Sequence, residues 1–229
     1  MQFSFVSAAL MGATLVLAAC APAAPAASPA TVPGGSSAAT PGTTARPAGP
    51  PVIFNFAAEG NEARYMVNET LATQVVTDAV GSTKGVTGKL VFSSDGQILP
   101  EQSNVTIDVK SLQSDRNSRD MYLRRNTLQS EQFPTVTFTP KEVKGLKFPL
   151  PAAGEVAFQM TGDLTVKTLT KPVTWDVKTV MGGKDATGSA KTTFTFAYFQ
   201  IEKPSVLAVL SVVDDIRLEL DFKVTRAEG

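Results

Sequence analysis

Residues 156–166 alternate between a mostly apolar and a mostly polar set, and Val166 is the last apolar member of this series. A period of two predicts a β-strand with one apolar face and one face in water. After an interruption the alternation resumes at Val173 and continues through Trp175. Pro172 cannot donate to a strand ladder, so we expect it at the start of the second strand or at a sheet edge. The segment predicts an antiparallel hairpin with a large aromatic side chain on its apolar face.

The same alternation recurs along the chain and predicts further one-sided strands near residues 65–71, 86–92, 105–109, 136–138, 187–199 and 216–224. Residues 206–213 form an apolar run whose facing the pattern does not assign, and a polar, glycine-bearing loop is expected at 78–85. About eight such strands predict an all-β fold, a closed antiparallel β-barrel, because closure removes exposed edges and gathers the apolar faces inside. The interior of such a barrel is either filled by side chains or holds one small ligand, and alternation does not decide between them.

One segment, residues 114–128, departs from the period of two. It is rich in charged residues and poor in β-branched ones, and Ser114 or Asp115 is suited to cap a helix. Phe133-Pro134 ends this segment before the strand alternation resumes. The pattern therefore predicts one short helix that crosses the domain.

The N-terminal region differs in composition from the rest of the chain. An apolar stretch over residues 6–16 leads to Leu17-Ala18-Ala19-Cys20, which resembles the lipobox of bacterial lipoproteins. The stretch is too short for a good membrane span, so residues 1–19 are expected to be a lipoprotein signal peptide, with Cys20 as the lipidated residue. The alternative is an ordinary secretory signal in which Cys20 is incidental. The expected location is outside the cytoplasm, on a membrane anchor facing the periplasm or the cell exterior.

Residues 20–60 are dominated by Pro, Ala, Ser, Thr and Gly. Such a tract cannot bury enough apolar surface to offset its ordering entropy, so a disordered tether is expected there, and the barrel domain is expected over 61–229. The apolar exceptions are Val52, Ile53, Phe54 and Phe56. Two alternatives are expected for them: they dock on the barrel as an extra edge strand, or they belong to the tether.

Charge and residue usage exclude several classes of function. Lys plus Arg and Asp plus Glu number 21 each, so there is no net field to attract nucleic acid. The chain has no histidine and one cysteine. Serine–histidine–aspartate and cysteine–histidine catalysis, histidine-based metal sites and disulfides within the chain are therefore excluded.

The order of several short motifs resembles the YceI-like polyisoprenoid-binding domains. Gly162-Asp163-Leu164-Thr165-Val166, followed by Thr170-Lys171-Pro172-Val173, resembles the central signature of that family. Arg119-Asp120 and Phe133-Pro134 resemble its helix region and the strand after it, and the resemblance extends over roughly residues 64–226. It implies a lipocalin-like barrel with a short helix near its mouth, and non-catalytic binding of a polyisoprenoid or an isoprenoid quinone in the lumen, usually in the periplasm.

The apolar phase of the strands supplies the residues expected to face the lumen: Leu90, Phe92, Ile107, Phe138, Phe158, Met160, Leu164, Trp175, Phe194, Phe196, Leu218 and Leu220. They could line a lipid channel or pack on each other as a filled core that binds nothing. The second alternative describes a structural or interaction module of the cell envelope. The resemblance favours the channel for the set as a whole.

Charged clusters suggest few further sites. Arg119 and Arg124, in the predicted helix, could contact an anionic head group at the barrel mouth, although a solvated helix face with structural ion pairs is the alternative. The acidic residues near 214–221 are expected on the wet face, so no metal and no cofactor are expected. An enzyme using carboxylates, lysine or tyrosine is the third alternative, and no spacing points to it.

Overall fold

The structure, a computed structural model, describes residues 49–204 and 209–227. Within them the chain forms β1 (Val52–Phe56), β2 (Glu62–Leu71), β3 (Val76–Thr83), β4 (Val86–Phe92), β5 (Asn104–Asp108), β6 (Gln113–Ser114), β7 (Thr135–Lys144), β8 (Ala153–Val166), β9 (Leu169–Gly182), β10 (Asp185–Phe194) and β11 (Val209–Arg226). One short helix, α1 (Asn117–Tyr122), continues into a π-helical turn, Leu123–Thr127. Short 3₁₀ turns cover Pro100–Gln102 and Phe196–Phe199.

Eight of the strands close into an antiparallel barrel in the order β1-β4-β5-β7-β8-β9-β10-β11, and β11 pairs back to β1. Closure depends on the length of β11. Its last residues pair with β1, with Phe56 opposite Val224, while its earlier residues pair with β2, with Val67 opposite Ile216. The closed antiparallel β-barrel of about eight strands with one short helix is therefore confirmed.

The β8–β9 hairpin matches the sequence prediction closely. Lys167 and Thr168 form the turn, and Lys167 has a positive φ of 55°. Trp175 and the other apolar residues of its phase in β9 are buried, whereas their neighbours are exposed. Pro172 pairs with Asp163 of β8, but β10 pairs with β9 only from Asp176 onward, so the missing donor of Pro172 falls on an unpaired side of the strand.

Two predictions for the segments around the barrel were wrong. Residues 78–85 are not a loop, because β3 occupies Val76–Thr83. The inward face of β3 consists of Ala79, Gly81 and Thr83, which are too small or too polar to give a strong alternation signal. Gly81 also has a packing role, because a Cβ there would fall 2.8 Å from the Tyr65 hydroxyl oxygen and closer still to its ring.

The predicted helix start was also wrong. Ser114 lies in β6, paired with Gly81, and its backbone N–H and hydroxyl both donate to the buried carboxylate of Asp120, at 2.9 and 2.6 Å. Because this hydroxyl is bound to Asp120, it does not cap the helix, which starts three residues later at Asn117. The helix is therefore shorter than residues 114–128 and is held against the β2–β3–β6 extension of the sheet.

The barrel begins earlier than residue 61. Val52–Phe56 forms β1, which is hydrogen-bonded on both sides, to β4 and to β11, so it is a closing strand and not an edge. Phe54 is buried at 5% exposure and packs edge-on against Phe92. The predicted signal peptide, Cys20 and the part of the predicted tether up to residue 48 lie outside the described residues.

Candidate functional site

A cavity of about 500 Å³ lies within the barrel at the end covered by α1, and it is called the large cavity here. Its walls come from β2, β3, β5 and β7 to β11, and α1 with the turn after it lies on top. Most of the lining is apolar: Ala63, Val67, Ala79, Ile107, Val109, Leu112, Leu123, Leu128, Val136, Val166, Trp175, Phe194, Phe196, Ile201, Val209, Val212, Ile216, Leu218 and Leu220. This volume falls within the range of about 300–1,000 Å³ that is typical of small-molecule sites.

A second, smaller cavity of about 90 Å³ lies further along the barrel, between β1, β4, β8, β9 and β10. Ile107, Trp175 and Leu220 border both cavities. The Trp175 ring also packs edge-on against Phe138, with ring centroids 6.0 Å apart. The lumen enclosed by the described residues is thus divided at the level of Trp175 into a roomy part and a nearly filled part.

One ion pair ties the covering helix to the cavity wall. The Arg119 guanidinium of α1 donates to Glu69 of β2 at 2.6 Å, and it also pairs with Asp115. The Glu69 side chain is 8% exposed and that of Arg119 is 17% exposed, whereas that of Asp115 is 68% exposed. Burial acts to lower the pKa of Arg119, but hydrogen bonds and charge from Glu69 and Asp115 outweigh it, and the pKa is raised.

Two polar atoms at the cavity walls have no hydrogen-bond partner among the described residues. They are the hydroxyl of Tyr65, on β2, and the indole N–H of Trp175, on β9. Both atoms are shielded from solvent. Burial, with the charges of Asp120, Asp115 and Glu69 adding to it and Arg119 opposing it, raises the pKa of Tyr65 to about 12. The phenol is therefore a neutral hydrogen-bond donor at physiological pH.

A model of the YceI-like domain family matches residues 58–224, which is nearly all of the barrel. The chain belongs to this family. Among its curated relatives are a UPF0312 protein of Photorhabdus laumondii, 32% identical over 115 residues, and protein YceI of Escherichia coli O6:H1, 31% identical over 115 residues. Each alignment covers 50% of this chain, and 55% and 56% of the respective relative. The chain thus spans about half the length of the curated relatives it matches.

Solved structures share the YceI-like fold at low sequence identity. A polyisoprenoid binding domain from Saccharophagus degradans, described as implicated in plant cell wall breakdown, aligns with a TM-score of 0.60 at 9% identity over 76% of this chain and 98% of that one. BcnA of Burkholderia cenocepacia aligns with a TM-score of 0.54 at 17% identity over 74% and 99% of the two chains. At sequence identities of 9% and 17%, the similarity to these two structures shows a shared fold and nothing more.

Eleven of the twelve residues predicted for the lumen of the YceI-like barrel border at least one of the two cavities. Ile107, Trp175, Phe194, Phe196, Leu218 and Leu220 line the large cavity. Leu90, Phe92, Phe138, Phe158 and Met160 surround the small cavity, where they pack mainly on one another. Leu164 is fully buried and lines neither cavity. Phe196 reaches the large cavity from a 3₁₀ turn and not from the predicted strand.

The two arginines proposed for head-group contact have different surroundings. Arg119 lines the large cavity, but Glu69 and Asp115 already accept its hydrogen bonds. Arg124 donates to the carbonyl of Leu112 at 2.9 Å and is not part of the lining of either cavity. Both side chains therefore make hydrogen bonds within the protein in this structure, and their contact with a head group stays a prediction.

Tyr65 and Glu69 were not among the residues predicted for the site. Both lie on the inward phase of β2 with Ala63 and Val67. A signal for Glu69 was present in the sequence, since a carboxylate falls in the apolar phase between Val67 and Leu71. A charge at such a position indicates a buried partner, although nothing in the sequence identifies that partner as Arg119.

Within residues 49–204 and 209–227, no three acidic or cysteine side chains come together as a metal site would require. The acidic residues near the C-terminus are instead engaged in contacts: Asp214 accepts the backbone N–H of Phe196, and Asp221 pairs with Arg64 at 2.5 Å. Neither is there a described helix whose length and hydropathy would let it cross a membrane.

Proposed function

We propose that this YceI-like barrel binds one apolar lipid of the isoprenoid class in the large cavity, and that it does so without catalysing a reaction. The observation that carries this proposal is the apolar cavity of about 500 Å³ beneath α1. Covering a lipid tail there removes apolar surface from water, which is favourable by roughly 25 cal/mol per Å². The polyisoprenoid binding domain of S. degradans, which has the same fold, supports the choice of lipid class.

The charged residues at the cavity favour binding over chemistry. Glu69 is hydrogen-bonded to Arg119, and Glu219 is hydrogen-bonded to Lys191 and also pairs with Arg64. The hydrogen bond from Lys191 is the main cause that lowers the pKa of Glu219, which keeps this carboxyl ionised at physiological pH. A general acid needs a pKa near the working pH, which does not apply to this group.

Filling the large cavity is expected to weaken lipid binding strongly. Ala79 faces the cavity from β3 at 5% exposure, so Ala79→Trp places an indole where the tail would lie. We expect the affinity for geranylgeraniol to fall by about tenfold or more, which corresponds to about 1.4 kcal/mol. The measurement is displacement of the fluorescent apolar probe 1-aminoanthracene from full-length protein that has been stripped of lipid.

The neighbouring residue provides a matched control. Val80 lies on the outer face of the same strand and is 37% exposed, so Val80→Trp introduces the same side chain outside the barrel. This variant should bind geranylgeraniol like the wild type. Equal affinity of all three proteins would mean that the lipid does not occupy the large cavity, and absence of binding to the wild type would favour a filled-core module without a ligand.

We further propose that Cys20 anchors the protein to a bacterial membrane through attached lipid, facing the periplasm or the cell exterior. The support is the sequence Leu17-Ala18-Ala19-Cys20 after an apolar stretch. Two or more acyl chains make such an anchor stable, since each buried CH₂ contributes roughly 0.8 kcal/mol. In the native host, Cys20→Ala should move the protein from the membrane fraction to the soluble fraction and remove incorporation of labelled palmitate. Unchanged fractionation and labelling would contradict the anchor.

A further inference from the structure

Four aliphatic side chains lie exposed at one end of β2, β3 and β11, and together they are called the apolar tip. Val75 and Val76, at the turn between β2 and β3, are 53% and 63% exposed. Leu210 and Val213, near the start of β11, are 61% and 48% exposed. The two segments are neighbours, because Thr70 of β2 pairs with Val76 on one side and with the start of β11 on the other. Neighbouring exposed apolar side chains are typical of an interaction surface.

Two irregularities in β11 direct part of this tip outward. The register of β11 against β2 shifts at Leu210 and again at Val213. Val209 and Val212 line the large cavity, whereas Leu210 and Val213 are exposed. Such bulges change the direction of side chains and are frequent beside functional sites. The start of β11 is therefore apolar on both faces, one towards the cavity and one towards the outside.

The apolar tip carries no charge of its own. Residues 71–76 and 209–213 contain no Asp, Glu, Lys or Arg. The charged residues that follow them, Asp78 and Asp214, are each paired with a basic side chain, at 2.6 and 3.4 Å. The tip therefore has no charge pattern that would select a protein partner, and its entry into an apolar phase buries no charge.

The size and the position of the tip favour a lipid bilayer as its partner. A stable protein interface covers about 800 Å² on each partner, and four partly exposed aliphatic side chains fall well short of that area. A bilayer needs no matching surface, because each side chain that enters it adds its own buried apolar area. The tip also borders the large cavity through Val209 and Val212. A lipid that enters beside the tip would pass from the bilayer to the cavity without exposing its tail to water.

We propose that the apolar tip inserts into the surface of a phospholipid bilayer and turns this side of the large cavity towards the membrane. Docking by the tip does not depend on what the cavity holds, whereas its use as the route of lipid entry rests on the proposed function. The tip is a second membrane contact, separate from the proposed anchor at Cys20. The described chain begins beside β1, which pairs with the opposite end of β11.

A fluorescent probe on a single cysteine tests docking. Cys20 is the only cysteine of the chain, so full-length Cys20→Ala with Val76→Cys has one thiol for nitrobenzoxadiazole and lacks the anchor site. We expect the probe emission to move to shorter wavelength and to brighten when vesicles of phosphatidylethanolamine and phosphatidylglycerol are added. Val180 provides the matched control, because this valine is 50% exposed and pairs with Thr187 near the opposite end of the barrel. A probe on Val180→Cys should not respond.

Charge at the tip should slow the uptake of lipid from a bilayer. In full-length Cys20→Ala, Val76→Asp combined with Leu210→Asp should lower the rate at which tritiated geranylgeraniol moves from these vesicles to the protein. We expect a decrease of about tenfold or more, because aspartate is costly to insert into a bilayer. Val180→Asp should leave the rate unchanged. Without vesicles, geranylgeraniol should displace 1-aminoanthracene equally well from all three proteins, because the tip side chains lie outside the cavity.

The outcomes separate docking from the proposed function. No response of the Val76 probe, or an equal response of the Val180 probe, would show that the tip does not insert, while lipid binding in the cavity would stand. A Val76 probe that emits at short wavelength before vesicles are added, together with the mass of a dimer in light scattering, would show that a second copy covers the tip and would also overturn the proposal. Insertion with equal uptake rates in all variants would overturn the route of entry. Insertion without uptake by any protein would contradict the proposed function and leave docking in place.

Discussion

Replacing Arg119 by alanine is expected to lower the free energy of unfolding by about 3 kcal/mol, because it leaves the Glu69 carboxylate buried without its partner. Glu69 lies 50 residues away in the sequence, and the 2.6 Å hydrogen bond between the two side chains joins α1 to β2. The loss combines a charge-assisted hydrogen bond with the desolvation cost of the remaining carboxylate. Urea denaturation followed by far-ultraviolet circular dichroism measures this change.

The second partner of the same guanidinium provides the control. Asp115 also binds Arg119, but its side chain is 68% exposed, so Asp115→Asn should cost no more than about 1 kcal/mol. A double variant, Arg119→Met with Glu69→Leu, should recover much of the stability, because it removes both buried charges together. Similar losses for Arg119→Ala and Asp115→Asn would contradict the assignment of a buried ion pair.

Replacing Trp175 by alanine is expected to cost about 3–5 kcal/mol, the range for removing a large aromatic side chain from a core. The ring is 6% exposed and contacts Phe138. Because it borders both cavities, its removal should also join them into one longer lumen. The variant should therefore favour longer isoprenoid alcohols relative to the wild type. Chemical denaturation gives the stability, and 1-aminoanthracene displacement by geraniol and geranylgeraniol gives the preference.

Two variants on the same strand serve as references for Trp175→Ala. Val180 is 50% exposed on the outer face of β9, so Val180→Ala should change stability by about 0.5 kcal/mol or less. Trp175→Phe keeps an aromatic ring between the cavities and should retain most of the wild-type preference for chain length. A loss below about 1 kcal/mol for Trp175→Ala would show that this ring does not fill the core.

The regular strands could be predicted because their side chains alternate in both size and polarity. The β8–β9 hairpin is the best case, since most of the large apolar residues from Val156 to Met181 face inward on both sides of the turn, with Val180 as an exception on the outer face. β3 was missed for the opposite reason, because Ala79 and Gly81 on its inward face carry almost no apolar signal. The inward surface of β3 is instead covered by the Tyr65 ring, which rests on Gly81, a contact between two different strands.

The division of the lumen could not be predicted from alternation. The period of two indicates which side of a strand a residue faces, but not which residues meet it across the barrel. Phe158 and Trp175 share the inward phase, yet Phe158 borders only the small cavity and Trp175 borders both. That difference depends on the register of β8 against β9 and on the residues of α1 that cover only one end. The pairing of Arg119 with Glu69 is likewise set by tertiary contacts and not by local sequence.

The central claim is that the large cavity holds one apolar isoprenoid lipid, and native mass spectrometry of the full-length protein, extracted in mild detergent from cells that express it, tests it most directly. The predicted result is one additional mass per chain that fragments as an isoprenoid and is absent from Ala79→Trp prepared in the same way. A wild-type spectrum that contains only the mass of the protein, with its anchor if lipidated, would contradict the claim.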